Sequence, residues 1–229
     1  MSRKNRGHGA SGPERILALG EDVNDARVIR SLLGAMHPGL EKRVEARQVP
    51  VVLVKNSSPA NFPSRAGKIA ALIRAENARR PVRATFLHED CDEVEPAHER
   101  VAKTIEESSL AKSHHIHAVT PAWEMESWVF LWPEAVTAYR PSWKLSNSYR
   151  SRSTGMIANA KETLTRDLDS NSPGRGTPKY RESDLPGIME KVRTEGLIDQ
   201  RRAQSRSFDA FRDAAACPTC DLRTLAESP

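Results

Sequence analysis

The sequence predicts an α/β fold, a mainly parallel four-stranded sheet flanked by helices, with a smaller, mostly helical C-terminal extension. Two observations predict it. Between residues 14 and 140, short apolar runs alternate four times with segments whose apolar residues recur at helical spacing. From Pro141 onward the texture becomes polar, basic and turn-rich, and that alternation stops.

Taken in order, residues 1–13 are basic, lack an apolar run and read as a flexible tail rather than a secretory signal. Glu14 to Gly20 reads as a short buried strand. Asp22 to Met36 reads as a helix, with Val23, Ala26, Ile29, Leu32, Leu33 and Met36 at helical spacing and Pro38-Gly39 ending it. Val49 to Val54 is apolar and β-branched, and is expected to be the second strand. Ser64 to Arg79 is expected to be helical, with Ile69, Leu72 and Ile73 inward. Val82 to Leu87 is the third expected strand, Pro96 to Ser109 the third helix and Ile116 to Val119 the fourth strand. Met125 to Ala138 is a fourth helical segment that Pro133 is placed to break. In the extension, residues 141–229, short helices are expected near Met156 to Leu168, Leu185 to Glu195 and Ser207 to Ala215, with a loop through Asp169 to Pro178.

The chain has 229 residues, 38% of them hydrophobic, and a mean hydropathy of −0.59. It holds no apolar stretch approaching the roughly 20 residues of a membrane span. Three cysteines, Cys91, Cys217 and Cys220, are too few and odd in number for a disulfide framework, which points to a reducing, cytoplasmic setting. A net charge of +5 and a pI of about 9.3 suit an anionic partner such as nucleic acid, although an excess this mild does not decide it.

Against that basic background the acids are concentrated at strand ends. Glu21 follows the first strand, with Asp25 four residues on; Asp90 and Asp92 follow the third; Glu124 and Glu126 follow the fourth. In an open α/β sheet, ligands bind outside the carboxyl ends of the strands. Clustered carboxylates repel one another unless a cation neutralises them, and oxygen-only donors favour Mg²⁺, Mn²⁺ or Ca²⁺. If strand geometry continues past the third strand, Asp90 and Asp92 point the same way and Cys91 points away. Each acid also has a plainer reading: Glu21 and Asp25 at a helix N-terminus, Asp90 and Asp92 as helix caps.

Leu19-Gly-Glu21-Asp-Val-Asn-Asp25 and Phe86-Leu-His-Glu-Asp90-Cys-Asp92 resemble the two motifs of the TOPRIM superfamily, the metal-binding module of topoisomerases, bacterial primases and OLD-type nucleases. A closer likeness is to small bacterial TOPRIM-like proteins of the RloB type, which are often linked to ATPases in phage-defence loci. It is carried by Trp123-Glu-Met-Glu126-Ser-Trp128, Lys179-Tyr180 and Ser205-Arg-Ser-Phe208. Asp22 stands where the family usually has glycine. The resemblance implies a TOPRIM-like domain over residues 14–140 and a metal-dependent nuclease using Mg²⁺ (or Mn²⁺). Glu21, Asp90 and Asp92 would be the catalytic residues, with Asp25 and Glu126 supporting them at the metal. It admits DNA or RNA, an ABC-type or AAA ATPase subunit and a second copy of the chain as partners, and no membrane. A catalytically quiet TOPRIM-like binding module is the alternative.

In the basic stretch, Arg140, Lys144, Arg150, Arg152, Arg175, Lys179 and Arg181 are candidates to hold a phosphate backbone, and Trp143 and Tyr149 to stack on bases; a solvated loop reads equally well. His114-His115-x-His117 is expected to be a surface or core-edge tract. Cys217-Pro-Thr-Cys220 lacks the second knuckle of a four-ligand zinc site, and the expectation is a pair of inert tail cysteines. Trp128 and Trp132, four apart, are expected to pack a core. No phosphate-binding Walker loop is present.

Overall fold

Arg15–Gly20 (β1) is buried at every position, which only a strand covered on both faces tolerates. Its alternation sorts the two layers. Ile16 and Ala18 belong to one apolar cluster, Leu17 and Leu19 to the other. The computed structural model describes residues 12–171, 178–217 and 220–227. Most of the expected N-terminal tail, Arg175 and most of the 169–178 loop lie outside the described residues.

The sheet has four parallel strands in the order β2-β1-β3-β4, with β2 at Val44–Gln48, β3 at Val82–His88 and β4 at Ile116–Val119. One face carries α1 (Val23–Met36), the other α2 (Phe62–Arg79), α3 (Ala97–Glu106) and α4 (Ser109–His114). After β4 come a 3₁₀ helix, Met125–Leu131, then α5 (Pro133–Tyr139), α6 (Ala160–Asn171), α7 (Leu185–Thr194), α8 (Arg206–Ala215) and α9 (Leu222–Glu227). The extension does not stand apart. Residues from α7, α8 and α9 share a single apolar cluster with α1, β1 and β3.

The second strand starts five residues and ends six residues earlier than the sequence suggests. Val49 to Val54 looks β-forming but contains Pro50, which has no N–H for a ladder. The N–H groups of Leu53 and Val54 go instead to the buried carboxylate of Glu89, at 2.9 and 2.8 Å, and that of Lys55 joins them. The Arg65 guanidinium gathers the carbonyls of Val52, Lys55 and Asn56. The segment is therefore a loop wrapped around Glu89.

The expected helix from Pro96 to Ser109 is α3, which stops at Glu106, and a second short helix that the sequence did not indicate follows it. Ser108 is extended and its Oγ accepts from the Ala111 N–H at 3.1 Å, starting α4 afresh. Pro133 does interrupt the Met125–Ala138 segment, by opening α5 at its first turn. The Met156 to Leu168 helix begins only at Ala160, because Thr154–Met156 is a 3₁₀ turn and Asn159 is left-handed at φ 49°. Trp128 and Trp132 do pack the core, edge-on to Phe208.

The extension is locked to the α/β layers by a buried carboxylate. Glu95, on the loop after β3, accepts from Ser205 Oγ at 3.2 Å, from the Ser207 N–H at 2.9 Å and from Ser153 Oγ at 3.2 Å. Gly155 makes room for it: a Cβ there would lie 2.0 Å from the Glu95 carboxyl carbon. Ser207 Oγ in turn accepts from Trp128 Nε1 at 3.0 Å. Buried donors left without an acceptor cost about 1–3 kcal/mol each. Glu89→Ala, which strands three backbone N–H groups, is expected to lower unfolding free energy by about 3 kcal/mol and to raise amide exchange in residues 53–55, both measurable by urea denaturation and hydrogen exchange.

Candidate active site

The carboxyl ends of β1, β3 and β4 face a cleft of about 230 Å³ lined by Glu21, Asp25, Asp90, Glu124, Glu126 and Lys161, among others. Gly20 brings α1 close enough to close one wall. A Cβ at Gly20 would meet Asp22 O at 2.4 Å and Ala26 N at 2.6 Å, so only glycine lets the helix start there. Asp22 caps α1 in extended backbone, φ −122°. Its Oδ1 accepts from the Asp25 N–H at 3.0 Å, and Asp25 Oδ2 accepts from the Asp22 N–H at 3.0 Å. An extended position suits any residue, so aspartate here brings no strain and serves as the cap.

Glu21 and Asp90 meet directly: Glu21 Oε1 accepts from the Asp90 N–H at 2.9 Å. Beneath them lies His88, the last residue of β3, with a fully buried side chain. Its Nε2 is 3.0 Å from Asp90 Oδ1 and its Nδ1 3.5 Å from Asp25 Oδ2. Burial alone favours the neutral ring. The charges of Asp25 and Asp90 overturn that, helped by the Asp90 hydrogen bond and by Glu21, and the pKa is pushed up to about 9. The acids are thus gathered around a buried imidazole whose charged form they favour.

On the far wall, Glu124 Oε1 accepts from the Lys161 N–H at 2.6 Å, at the start of α6. Glu126 is buried, and its Oε1 accepts from Tyr180 Oη at 2.9 Å. Burial and then the charge of Glu124 push Glu126 up to about 8, so this carboxyl is largely protonated at neutral pH. Burial also raises Glu21, where Asp90 adds to it, Asp25, where His88 opposes it, and Glu124, where Asp90 again adds.

Of the residues expected at the metal, Glu21, Asp25, Asp90 and Glu126 converge, and Asp92 does not. β3 ends at His88, and Asp92 is left-handed at φ 55°, so strand alternation fails two residues too early. Asp92 pairs with Lys55 and lines a neighbouring hollow with Glu93 and Arg100. Cys91 is buried in the apolar layer that α2, α3 and α4 share.

The basic candidates scatter. Lys144 and Arg150 line a separate groove beside α5. Arg140 pairs with Asp184 at 3.6 Å and lies over the Trp143 ring at 4.4 Å. Lys179 is 3.9 Å from Asp169, and Arg152 and Arg181 are exposed. Trp143 is only 1% exposed and donates Nε1–H to Pro178 O at 2.8 Å. It is core and presents no face to a base. Tyr149 is half-buried against Phe130.

Glu124, His88, Tyr180, Lys161 and Glu182 complete the site. The Glu124-x-Glu126 spacing and the basic-then-tyrosine pattern at Lys179-Tyr180 were visible in sequence. Lys161 and Glu182, paired with each other across the cleft mouth, gave no sequence signal. A scan of family models finds no match to this chain, and searches of curated proteins and of solved structures likewise find none. Among the described residues, no helix is long and apolar enough to cross a membrane.

Two stability measurements follow from these charges. The folded pKa of His88 lies above its ordinary value of 6.5. Its stabilisation is therefore whole below that value and disappears as pH rises through about 9. His88→Gln is expected to cost about 3 kcal/mol at neutral pH and to flatten that alkaline loss in urea titrations. Glu126 carries the opposite penalty. Its raised pKa lowers stability as pH climbs from 4.5 toward about 8. Glu126→Gln should gain on the order of 1–3 kcal/mol at mildly alkaline pH without metal.

Proposed function

We propose that the chain is a divalent-metal-dependent, TOPRIM-like nuclease that cleaves phosphodiester bonds of DNA or RNA. The observation that carries this reading is the convergence of Glu21, Asp25, Asp90, Glu124 and Glu126 on one cleft at the strand ends. The donor set is all oxygen, which fits Mg²⁺ or Mn²⁺. Like charge and burial already raise four of these carboxyls, a strain that a divalent ion relieves. Asp90, Glu21 and Glu124 would hold the ion, with Asp25 and Glu126 behind them. When bound, such an ion polarises a phosphodiester and lowers the pKa of water.

The chain's own groups do the rest. Glu21 is fixed through Oε1 by the Asp90 N–H, and its raised pKa suits it to take a proton and give it back. His88 sets the angle of the Asp90 carboxylate through Oδ1. Lys161 and Lys55 flank the acids and supply positive charge for a phosphate backbone entering an otherwise acidic cleft. A role in phage defence beside an ATPase subunit belongs to this proposal on the sequence resemblance.

One observation favours a second reading, a catalytically quiet module that binds a partner: the buried His88 ring already contacts both Asp25 and Asp90 without any metal. Cleavage assays on plasmid, linear DNA and tRNA with Mg²⁺ or Mn²⁺ separate the two. On the nuclease reading, Asp90→Ala and Glu21→Ala each lose more than about 100-fold in rate, while Asp92→Ala loses far less. Cleavage that persists in both of the first two variants defeats the site; inactivity on every substrate, alone and with an ATPase partner, selects the binding module.

A further inference from the structure

The C-terminal cysteines are not idle in the fold. Nε2 of His117, Sγ of Cys217 and Sγ of Cys220 all lie within 4.8 Å of one another, and Nε2 is 2.9 Å from Cys220 Sγ. We propose that these three side chains bind a zinc ion that clamps the C-terminal segment onto the edge strand of the sheet.

Four observations support the site. Two residues separate the cysteines, the spacing of a zinc knuckle, and the Cys220 N–H donates to Cys217 O at 3.2 Å. The third donor comes from far along the chain. His117 sits on β4, the outer strand of the sheet, so sequence spacing alone could not complete the set. The imidazole is oriented in advance: its ring stacks on Phe86 at 5.1 Å. The surrounding backbone is tied as well, with Arg83 Nε donating to Cys220 O at 2.6 Å. All three cysteines of the chain are thiols rather than disulfides. At tetrahedral zinc, sulfur and nitrogen ligands sit about 3.5 Å apart. The His117–Cys220 pair needs to open by only about half an ångström to admit the ion. Cys220 is buried, whereas His117 and Cys217 are half-buried, which leaves a fourth position for water.

Nothing in this site overlaps the acidic cleft, so its role is separable from the nuclease reading. Zinc here joins the edge strand to the turn between α8 and α9, covering backbone that an edge strand otherwise leaves open to pairing. Its binding energy adds to folding because the unfolded chain has no preformed site.

The test uses untagged full-length protein, purified under reducing conditions, with metal content read by mass spectrometry. About one zinc per chain is expected. His117→Ala and Cys217→Ser are each expected to weaken zinc binding by at least about tenfold, while Asp90→Asn keeps it. Cobalt substituted into the wild-type chain should show thiolate-to-metal charge transfer and the intense visible bands of a four-coordinate ion, a readout that survives if the variants fail to fold. Removing zinc with a strong chelator should lower the melting temperature, and adding it back should restore it. Wild-type protein with no zinc and no cobalt charge-transfer band overturns the proposal. So does a Cys217–Cys220 disulfide in freshly isolated protein, or zinc retained undiminished by both ligand variants.

Discussion

A parallel sheet can gather several carboxylates at one rim only if something compensates their mutual repulsion, and here a buried histidine does much of it. His88 ends β3 beneath Asp25 and Asp90, in contact with both. Water is excluded from the ring, so each ion pair is stronger than on the surface, and removing either charge would leave the other exposed to a low dielectric. The positions of Glu21 and Asp25 follow from this contact and from Gly20, which lets the first turn of α1 lie against the strand end. The site is a property of the sheet's carboxyl edge, and it is charged in a controlled way before any ligand arrives.

The second organising feature is the reach of the C-terminal third into the core. The chain after residue 140 is polar in texture, yet its helices insert Leu185, Ile188, Phe208 and Phe211 into the same apolar layer as Ile16 and Phe86. It also supplies groups to the cleft: Tyr180 to Glu126, Lys161 to Glu124 and Glu182 to the mouth. Buried polar anchoring at Glu95 fixes the register of that insertion, because each of its hydrogen bonds is costly to break once water is excluded. A cleft assembled this way couples the acids to the packing of the extension. Ser207 and Phe208 of α8 contact Trp128, which lies on the same 3₁₀ helix as Glu126.

The same geometry serves two kinds of chemistry. Carboxylates balanced by an internal imidazolium can hold a divalent ion for phosphodiester cleavage, or they can offer a preformed negative surface to a basic partner. What separates these is whether a divalent ion displaces protons and strain from Glu21, Glu124 and Glu126.

The sequence by itself determined the layered α/β class, most helix cores and the identity of the acids. The unbroken apolar run of β1 and the helical spacing in α1 and α2 are local patterns that tertiary contacts reinforced. It also marked Glu21, Asp25, Asp90 and Glu126 at strand ends, because position relative to a strand is a local property. Tertiary structure decided the rest. Val49 to Val54 left the sheet because Glu89, distant in sequence, took its N–H groups. Asp92 left the cleft because a left-handed residue ended the alternation that would have aligned it with Asp90. Trp143 went to the core, and His117 found Cys217 and Cys220 about a hundred residues away. Each of these outcomes depends on which buried group satisfies a partner far along the chain, and no window of neighbouring residues contains that information.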